Sequence, residues 1–189
     1  MRDLQIKNQM IIPKFIDWKI NSALKKRSAY KGINPADSIC FIANVEDKSS
    51  RELLLRFSDE LKKRHKKVVV LFFFDGTRKR LEKIHPNITD LNVVTRSDFS
   101  LFAGISEKEY QSQIQESFDL LCNFDTSKSK LPHLLSAQSM AKFKIGIDLE
   151  QTEIYDLFID RTDSPSVKQL INDLKEVMNS VFSHQLSKV

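Results

Sequence analysis

Glycine is scarce in this 189-residue chain, and its scarcity excludes most phosphate-binding loops. The four glycines stand alone in the sequence, so neither a P-loop nor a dinucleotide-binding fingerprint follows any apolar segment. They are Gly32, Gly76, Gly104 and Gly146. Nucleotide binding of either common kind is therefore not predicted.

Cysteine and histidine are also few, and they lie too far apart to predict a metal site. Cys40 and Cys122 have no metal-ligand spacing with each other or with any of the four histidines. Each cysteine lies in an apolar segment, where a thiol acts as a small hydrophobic group, with a redox pair as the alternative. So few cysteines are typical of a reducing compartment. We assign no metal, no cofactor and no catalytic residue.

Long hydrophobic runs are absent as well. The longest, 68–74, falls far short of the roughly 20 residues that a membrane-spanning helix needs. The first ten residues are polar, and the short apolar run that follows is broken by Pro13, which does not fit a signal peptide. We expect a cytoplasmic protein that has no membrane partner.

The apolar residues that are present, 13 phenylalanines among them, alternate between strand and helix patterns. Apolar segments predict strands at 38–45, 67–74, 91–95, 118–124, 142–147 and 155–160. Amphipathic segments predict helices at 14–30, 49–66, 77–84, 106–116, 131–140 and from Ser164 to about residue 182. The pattern predicts an α/β three-layer sandwich with a mostly parallel, Rossmann- or flavodoxin-like sheet.

One domain over 1–189 accommodates these elements, with an N-terminal helical extension (1–34) and an α/β core (38–182). Only seven residues separate the last two predicted strands, which is short for a parallel crossover. We therefore expect the last strand to be an antiparallel edge strand.

Charge is distributed unevenly along the chain. Residues 1–83 hold 20 Lys and Arg against 10 Asp and Glu, whereas the remainder is acidic. A basic surface attracts polyanions, although solvated helix faces would give the same composition. The basic runs are Lys25, Lys26 and Arg27; Lys62, Lys63, Arg64, Lys66 and Lys67; and Arg78, Lys79 and Arg80. Our leading hypothesis is a non-catalytic binding module that engages RNA, the ribosome or another polyanionic partner through these residues.

A second hypothesis places a small-ligand or nucleotide-binding enzyme or sensor at the carboxyl edge of the sheet, where ligands bind in such folds. Polar residues follow the predicted strands there, although turns and helix caps use the same residue types. The candidates are Asp47, Asp75, Thr77, Asp98 and Asp125. A third hypothesis has the apolar stripe of the first helix (Phe15, Trp18, Ile20, Leu24) dock a protein partner or form a homodimer.

The string FFFDGT at 72–77 is similar to the strand-end motif of haloacid-dehalogenase-type phosphatases, Asp-x-Asp-Gly-Thr. Phe73 stands where that family has its nucleophilic aspartate, and a phenyl ring cannot attack phosphorus. The chain therefore lacks the group on which that chemistry depends.

Three strings carry a broader resemblance: FDLLCNF at 118–124, AKFKIG at 141–146 and YDLFID at 155–160. Together with the lysine-rich first helix, they resemble an uncharacterised bacterial family, found mainly in Bacteroidetes, over about residues 14–182. The resemblance implies a cytoplasmic α/β domain without an established activity. The segment from FDLL to AKFKIG is also weakly similar to heptosyltransferase-like glycosyltransferases, which have two Rossmann-like domains where this chain has room for one.

Overall fold

A parallel sheet covered by helices forms the core of the protein. The computed structural model describes residues 14–25, 36–64, 67–88, 90–100, 104–105, 116–127, 129–147, 153–159 and 166–186. Its strands are β1 (Ser38–Asn44), β2 (Lys67–Phe74), β3 (Val93–Thr95), β4 (Phe99–Ser100), β5 (Gly104–Ile105), β6 (Leu120–Asn123), β7 (Phe143–Gly146) and β8 (Leu157–Phe158). Its helices are α1 (14–24), α2 (Lys48–Lys62), α3 (Arg78–Ile84), α4 (Leu131–Gln138) and α5 (Val167–Leu186), with a 3₁₀ turn at Arg96–Asp98. The predicted helix at 106–116 lies outside the described residues except for Glu116.

Six of these strands make one sheet in the order β3-β2-β1-β6-β7-β8, and every neighbouring pair is parallel. Side chains alternate between the two faces of a strand. In β1, Phe41 is buried with α2, α3 and α5 on one face, whereas Ile42 is buried towards α4 on the other. Burial on both faces explains why the strands are almost wholly apolar. The predicted α/β sandwich is confirmed.

The predicted antiparallel edge strand is wrong. β8 pairs with β7 in parallel, with Leu157 opposite Ile145 and Phe158 opposite Gly146. Both strands are shorter than predicted, so ten residues connect them instead of seven. Because β8 has only two residues, the chain returns over a short distance and needs no full-length crossover. Backbone hydrogen bonds from Asp156 N to Lys144 O (2.8 Å) and from Ile159 N to Gly146 O (3.0 Å) hold it in place.

The first helix packs on the sheet through part of the predicted stripe: Ile20 and Leu24 lie in the contact, whereas Trp18 does not. Ile16 and Ile20, four residues apart, are buried against Phe73 of β2 and against Leu134 of α4 in one apolar cluster. Trp18 points away from this cluster, and 61% of its surface is exposed. The helix is therefore packed on its own chain through Ile16 and Ile20.

No helix among the described residues combines the length and the apolar character needed to cross a membrane.

Candidate functional site

The strand order reverses between β1 and β6, and polar residues follow both strands at that point. The chain moves outward from β1 to β2 and β3 on one side, and from β6 to β7 and β8 on the other. The connections therefore diverge at the carboxyl ends of β1 and β6, which is the usual ligand position in open α/β sheets. Asn44 ends β1, and Asp125 lies two residues beyond the end of β6.

Asp125 is the most enclosed carboxyl at this edge, with only 4% of its surface exposed. Its Oδ1 accepts a hydrogen bond from Ser127 N (3.2 Å), and its Oδ2 accepts one from Ser127 Oγ (2.6 Å). The Asn44 side chain donates another, while its own Oδ1 accepts from Glu46 N (2.7 Å). Burial raises the pKa of Asp125, the hydrogen bonds from Ser127 and Asn44 oppose that rise, and the nearby charge of Asp75 adds to it. The carboxyl is therefore more easily protonated than an ordinary aspartate.

A buried hydrogen-bond network supports Asp125 from below. Asn123 is 1% exposed, and its Oδ1 accepts from Asp125 N (3.0 Å), which orients its Nδ2 towards the Tyr155 hydroxyl at 2.6 Å. His133 Nδ1 lies 2.8 Å from the same hydroxyl. The hydroxyl thus joins β6, α4 and the segment that precedes β8, so three elements fix the backbone of Asp125.

Gly146 makes room for this network. A Cβ atom at Gly146 would lie 2.5 Å from Cδ2 of Tyr155, closer than real carbon atoms approach. The Tyr155 ring therefore packs directly on the backbone at the end of β7. The glycine of AKFKIG and the tyrosine of YDLFID are a packed pair, and the asparagine of FDLLCNF is bonded to that tyrosine.

Sequence reasoning missed Asn123 and Tyr155. The available signal was Asn123 itself, a single amide inside a buried apolar strand, because buried polar groups need hydrogen-bond partners. Nothing in the local pattern identified Tyr155 as the partner, since 32 residues separate the two along the chain.

The other predicted carboxylates have defined structural partners. Asp47 caps α2 by accepting from Ser49 N (3.0 Å) and Ser50 N (3.3 Å). The side-chain hydrogen bonds from Ser50 and Ser49 lower the pKa of Asp47. Thr77 caps α3 through Arg80 N.

Asp98 and Asp75 are engaged by arginines. Asp98 is buried and accepts from Arg78 Nη2 and Thr95 N, both at 2.8 Å. Asp75 pairs with Arg96 Nε at 3.0 Å. Among the described residues, no group of three or more His, Cys, Asp or Glu side chains is arranged to hold a metal ion.

The predicted basic residues do not form one patch. Lys62, Lys63, Arg64 and Lys67 lie where β2 begins, whereas Arg78, Lys79 and Arg80 lie just beyond its end, about 25 Å away along the strand. Lys25 directly follows α1, which lies on the opposite side of the sheet from α2 and α3. Lys26, Arg27 and Lys66 lie outside the described residues.

Several of these cations have partners within the chain. Lys62 pairs with Asp59 (2.8 Å), Lys67 pairs with Glu116, and Arg78 is held by Asp98 and Val93 O. Lys63, Arg64, Lys79 and Arg80 are exposed and have no ion pair in the described part of the chain. Arg80 packs over the Phe74 ring, 5.9 Å from its centroid.

The two cysteines are free and buried. They lie on adjacent strands but on opposite faces of the sheet, Cys40 towards α4 and Cys122 towards α2 and α5. A disulfide between them would have to pass through the sheet, so this arrangement agrees with their interpretation as small hydrophobic groups.

Comparison with known proteins gives a family and no activity. The sequence profile described as "Family of unknown function (DUF6913)" matches residues 13–180. Neither the curated proteins nor the solved structures contain a match.

Proposed function

We propose that this chain, which belongs to the DUF6913 family of unknown function, binds a small polar ligand at the carboxyl edge of its sheet. The reversal of strand order between β1 and β6, with Asp125 buried beside it, is the observation that carries the proposal. Burying a carboxyl costs free energy, and carboxyls with perturbed pKa values at a crevice are candidates for ligand contact. Asn44, Asp125 and Ser127 are the proposed contacts.

The electrostatics of this edge favour a ligand that presents hydroxyl, amide or ammonium groups over one that presents phosphate. In folds of this topology, the helix after the first strand offers its N-terminal amides to phosphate. Here the Asp47 carboxylate already accepts two of those amides, and it carries the same charge sign as phosphate. Asp125 lies at the same edge, close enough to Asp75 for the two negative charges to interact, although Arg96 pairs with Asp75. We therefore expect hydrogen-bond donors on the ligand.

Thermal unfolding in the presence of matched compound sets tests this proposal. One set contains nucleosides and polyamines, and the other contains the nucleotides that correspond to those nucleosides. A ligand at about 100 times its dissociation constant adds roughly 2.7 kcal/mol to the free energy of unfolding. For a chain of this size, that corresponds to a rise in Tm of about 5–10 °C. We expect such a rise only in the first set.

Two variants identify the site. Asp125→Asn should abolish the rise, because the amide cannot replace a charged acceptor. Glu46→Gln removes the same charge from an exposed position at the same edge and should retain the rise. A rise that survives in Asp125→Asn, or no rise with any compound, would refute a ligand site at Asp125.

A second candidate function is polyanion binding, with RNA or the ribosome as the partner and the cytoplasm as the location. Its support is the exposure of Lys63, Arg64, Lys79 and Arg80, together with the basic balance of the N-terminal half. Exposed cations that form no ion pair among the described residues can neutralise phosphates, and binding of this kind weakens steeply with salt.

Charge reversal tests this candidate. Lys79→Glu with Arg80→Glu should weaken the binding of a labelled RNA and reduce its salt dependence. Lys168→Glu reverses one exposed charge on α5, away from the basic runs, and is the control. Equal affinities of the double variant and the control across a salt titration would exclude a role for Lys79 and Arg80.

A further inference from the structure

We propose that the outer face of α1, formed by Lys14, Trp18, Asn21 and Lys25, binds single-stranded nucleic acid by stacking a base on Trp18. These four residues follow the spacing i, i+4, i+7 and i+11, which places them on one stripe of a helix. All four are exposed, and the opposite stripe holds the buried Ile16 and Ile20. The stripe that faces away from the sheet therefore presents an indole ring between two cations.

An exposed tryptophan at the centre of this stripe is unusual, because indole rings bury a large apolar area when they are in a core. Trp18 keeps 61% of its surface exposed although α1 packs on the sheet. Phe15 lies beside it, with ring centroids 5.6 Å apart and planes inclined at 34°. Lys19 Nζ lies 5.5 Å from the centre of the Phe15 ring. The Phe15 ring lies against the indole, so less conformational freedom is lost when a base stacks on it.

The two flanking lysines fit a phosphate backbone. Lys14 and Lys25 lie about 16 Å apart along the helix axis, with Trp18 between them. Neither has an ion pair in the described part of the chain. A base-stacking ring with cations on both sides is the combination that single-strand binding surfaces use.

The shape of this surface favours a nucleic acid over an acidic peptide. The outer stripe of a packed helix is convex, whereas peptide side chains dock into grooves. A base needs only a flat ring on which to stack, and its phosphates need only cations within reach. The inference deepens the second candidate function, polyanion binding, and does not depend on the site at Asp125.

Trp18 is the sole tryptophan of the chain, so its fluorescence reports directly on this surface. The full-length protein is titrated at low salt with a short oligothymidylate, then with a duplex of equal length. Stacking should quench the emission with the single strand, and the duplex should quench it much less because its bases face one another. The absence of quenching by the single strand at saturation would overturn the proposal.

Anisotropy of a labelled oligothymidylate supplies a second readout. Trp18→Ala should weaken binding by roughly tenfold to a hundredfold, the loss typical of one base–aromatic stack. Met140→Ala removes another exposed apolar side chain and is the matched control, with circular dichroism as the check on folding. Equal affinities of the two variants would refute stacking on Trp18. Polyanion binding as a function would still stand if the charge-reversal variant of α3 weakened binding.

Trp18 emission can also be measured without oligothymidylate at increasing protein concentration. A change with concentration would show that a second copy of the chain covers Trp18, which would overturn the proposal. Loss of labelled-RNA binding in the α3 charge-reversal variant, while oligothymidylate still quenches Trp18, would show that the α1 surface binds a single strand without those cations. The two surfaces can thus fail independently.

Discussion

Gly146→Ala tests whether the Tyr155 ring supports the candidate site, because its effect should change sign when the ring is removed. A Cβ at Gly146 would lie 2.5 to 2.7 Å from three atoms of that ring, so the ring must move. Overpacking a core typically costs about 1–3 kcal/mol. Displacing the hydroxyl also weakens its contacts at 2.6 Å to Asn123 and at 2.8 Å to His133, at about 1 kcal/mol each.

The sum predicts a loss of about 3–5 kcal/mol in the free energy of unfolding, or roughly 6–20 °C in Tm. In a Tyr155→Ala background, the clash and the hydroxyl are both absent. Since alanine loses less backbone entropy than glycine on folding, Gly146→Ala should then be neutral or stabilise by up to about 1 kcal/mol.

Denaturant unfolding of the four proteins in this double-mutant cycle measures the coupling. We expect the single variant Gly146→Ala to show a lower midpoint and the double variant to match or exceed Tyr155→Ala. If Gly146→Ala costs the same in both backgrounds, Gly146 acts through its own backbone, and the packing argument is refuted.

Three further outcomes follow from the ionisable groups. Because burial raises the pKa of Asp125, ionisation of this carboxyl opposes folding once the pH rises above the ordinary aspartate pKa. The variant Asp125→Asn should therefore be more stable than the native chain at neutral pH and equally stable in acid. Thermal unfolding at a series of pH values measures this difference. For Asp119, burial acts to raise the pKa, but the hydrogen bonds from Lys142 and Ser38 outweigh it and the pKa is lowered. Its contribution is therefore present above the ordinary aspartate pKa and lost as the pH falls through the lowered value, so Asp119→Asn should be less stable at neutral pH and equal to the native chain in strong acid. Burial raises the pKa of Cys40 to about 12 and that of Cys122 well above its ordinary value, so a thiol reagent should label both only at the rate of unfolding, and rapid labelling of the native protein would contradict their burial.

The fold was predictable from sequence because its strands are buried on both faces. Continuous apolar runs such as 67–74 can be satisfied only inside a covered parallel sheet, and the predicted bounds of β2 agree with the structure at both ends. The edge strand was not predictable in the same way. β8 has only two residues, both half-buried, and its direction depends on hydrogen bonds to Lys144 and Gly146 that no local pattern records.

The candidate site was predictable only in part. Asp125 was identified because it follows a buried strand, and any polar residue in that position reaches the carboxyl edge. Its difference from Asp47 was not predictable: Asp47 caps an exposed helix end, whereas Asp125 is enclosed by neighbours from two strands. Enclosure is a property of tertiary packing, and the spacing of carboxylates along the chain does not contain it.

The strings that mark the family resemblance show how a motif without an obvious chemical role can still indicate a site. In AKFKIG, Lys142 pairs with Asp119 of FDLLCNF at 2.6 Å, and the buried Lys144 donates to Ser139 O at 2.8 Å, beyond the end of α4. Gly146 completes the string by receiving the Tyr155 ring. A side chain at Gly146 would displace the Tyr155 ring and with it Asn123, whose amide oxygen accepts a hydrogen bond from the backbone N–H of Asp125. The strings therefore build the support beneath Asp125, and two of the proposed ligand contacts, Asp125 and Ser127, lie in the loop just beyond FDLLCNF.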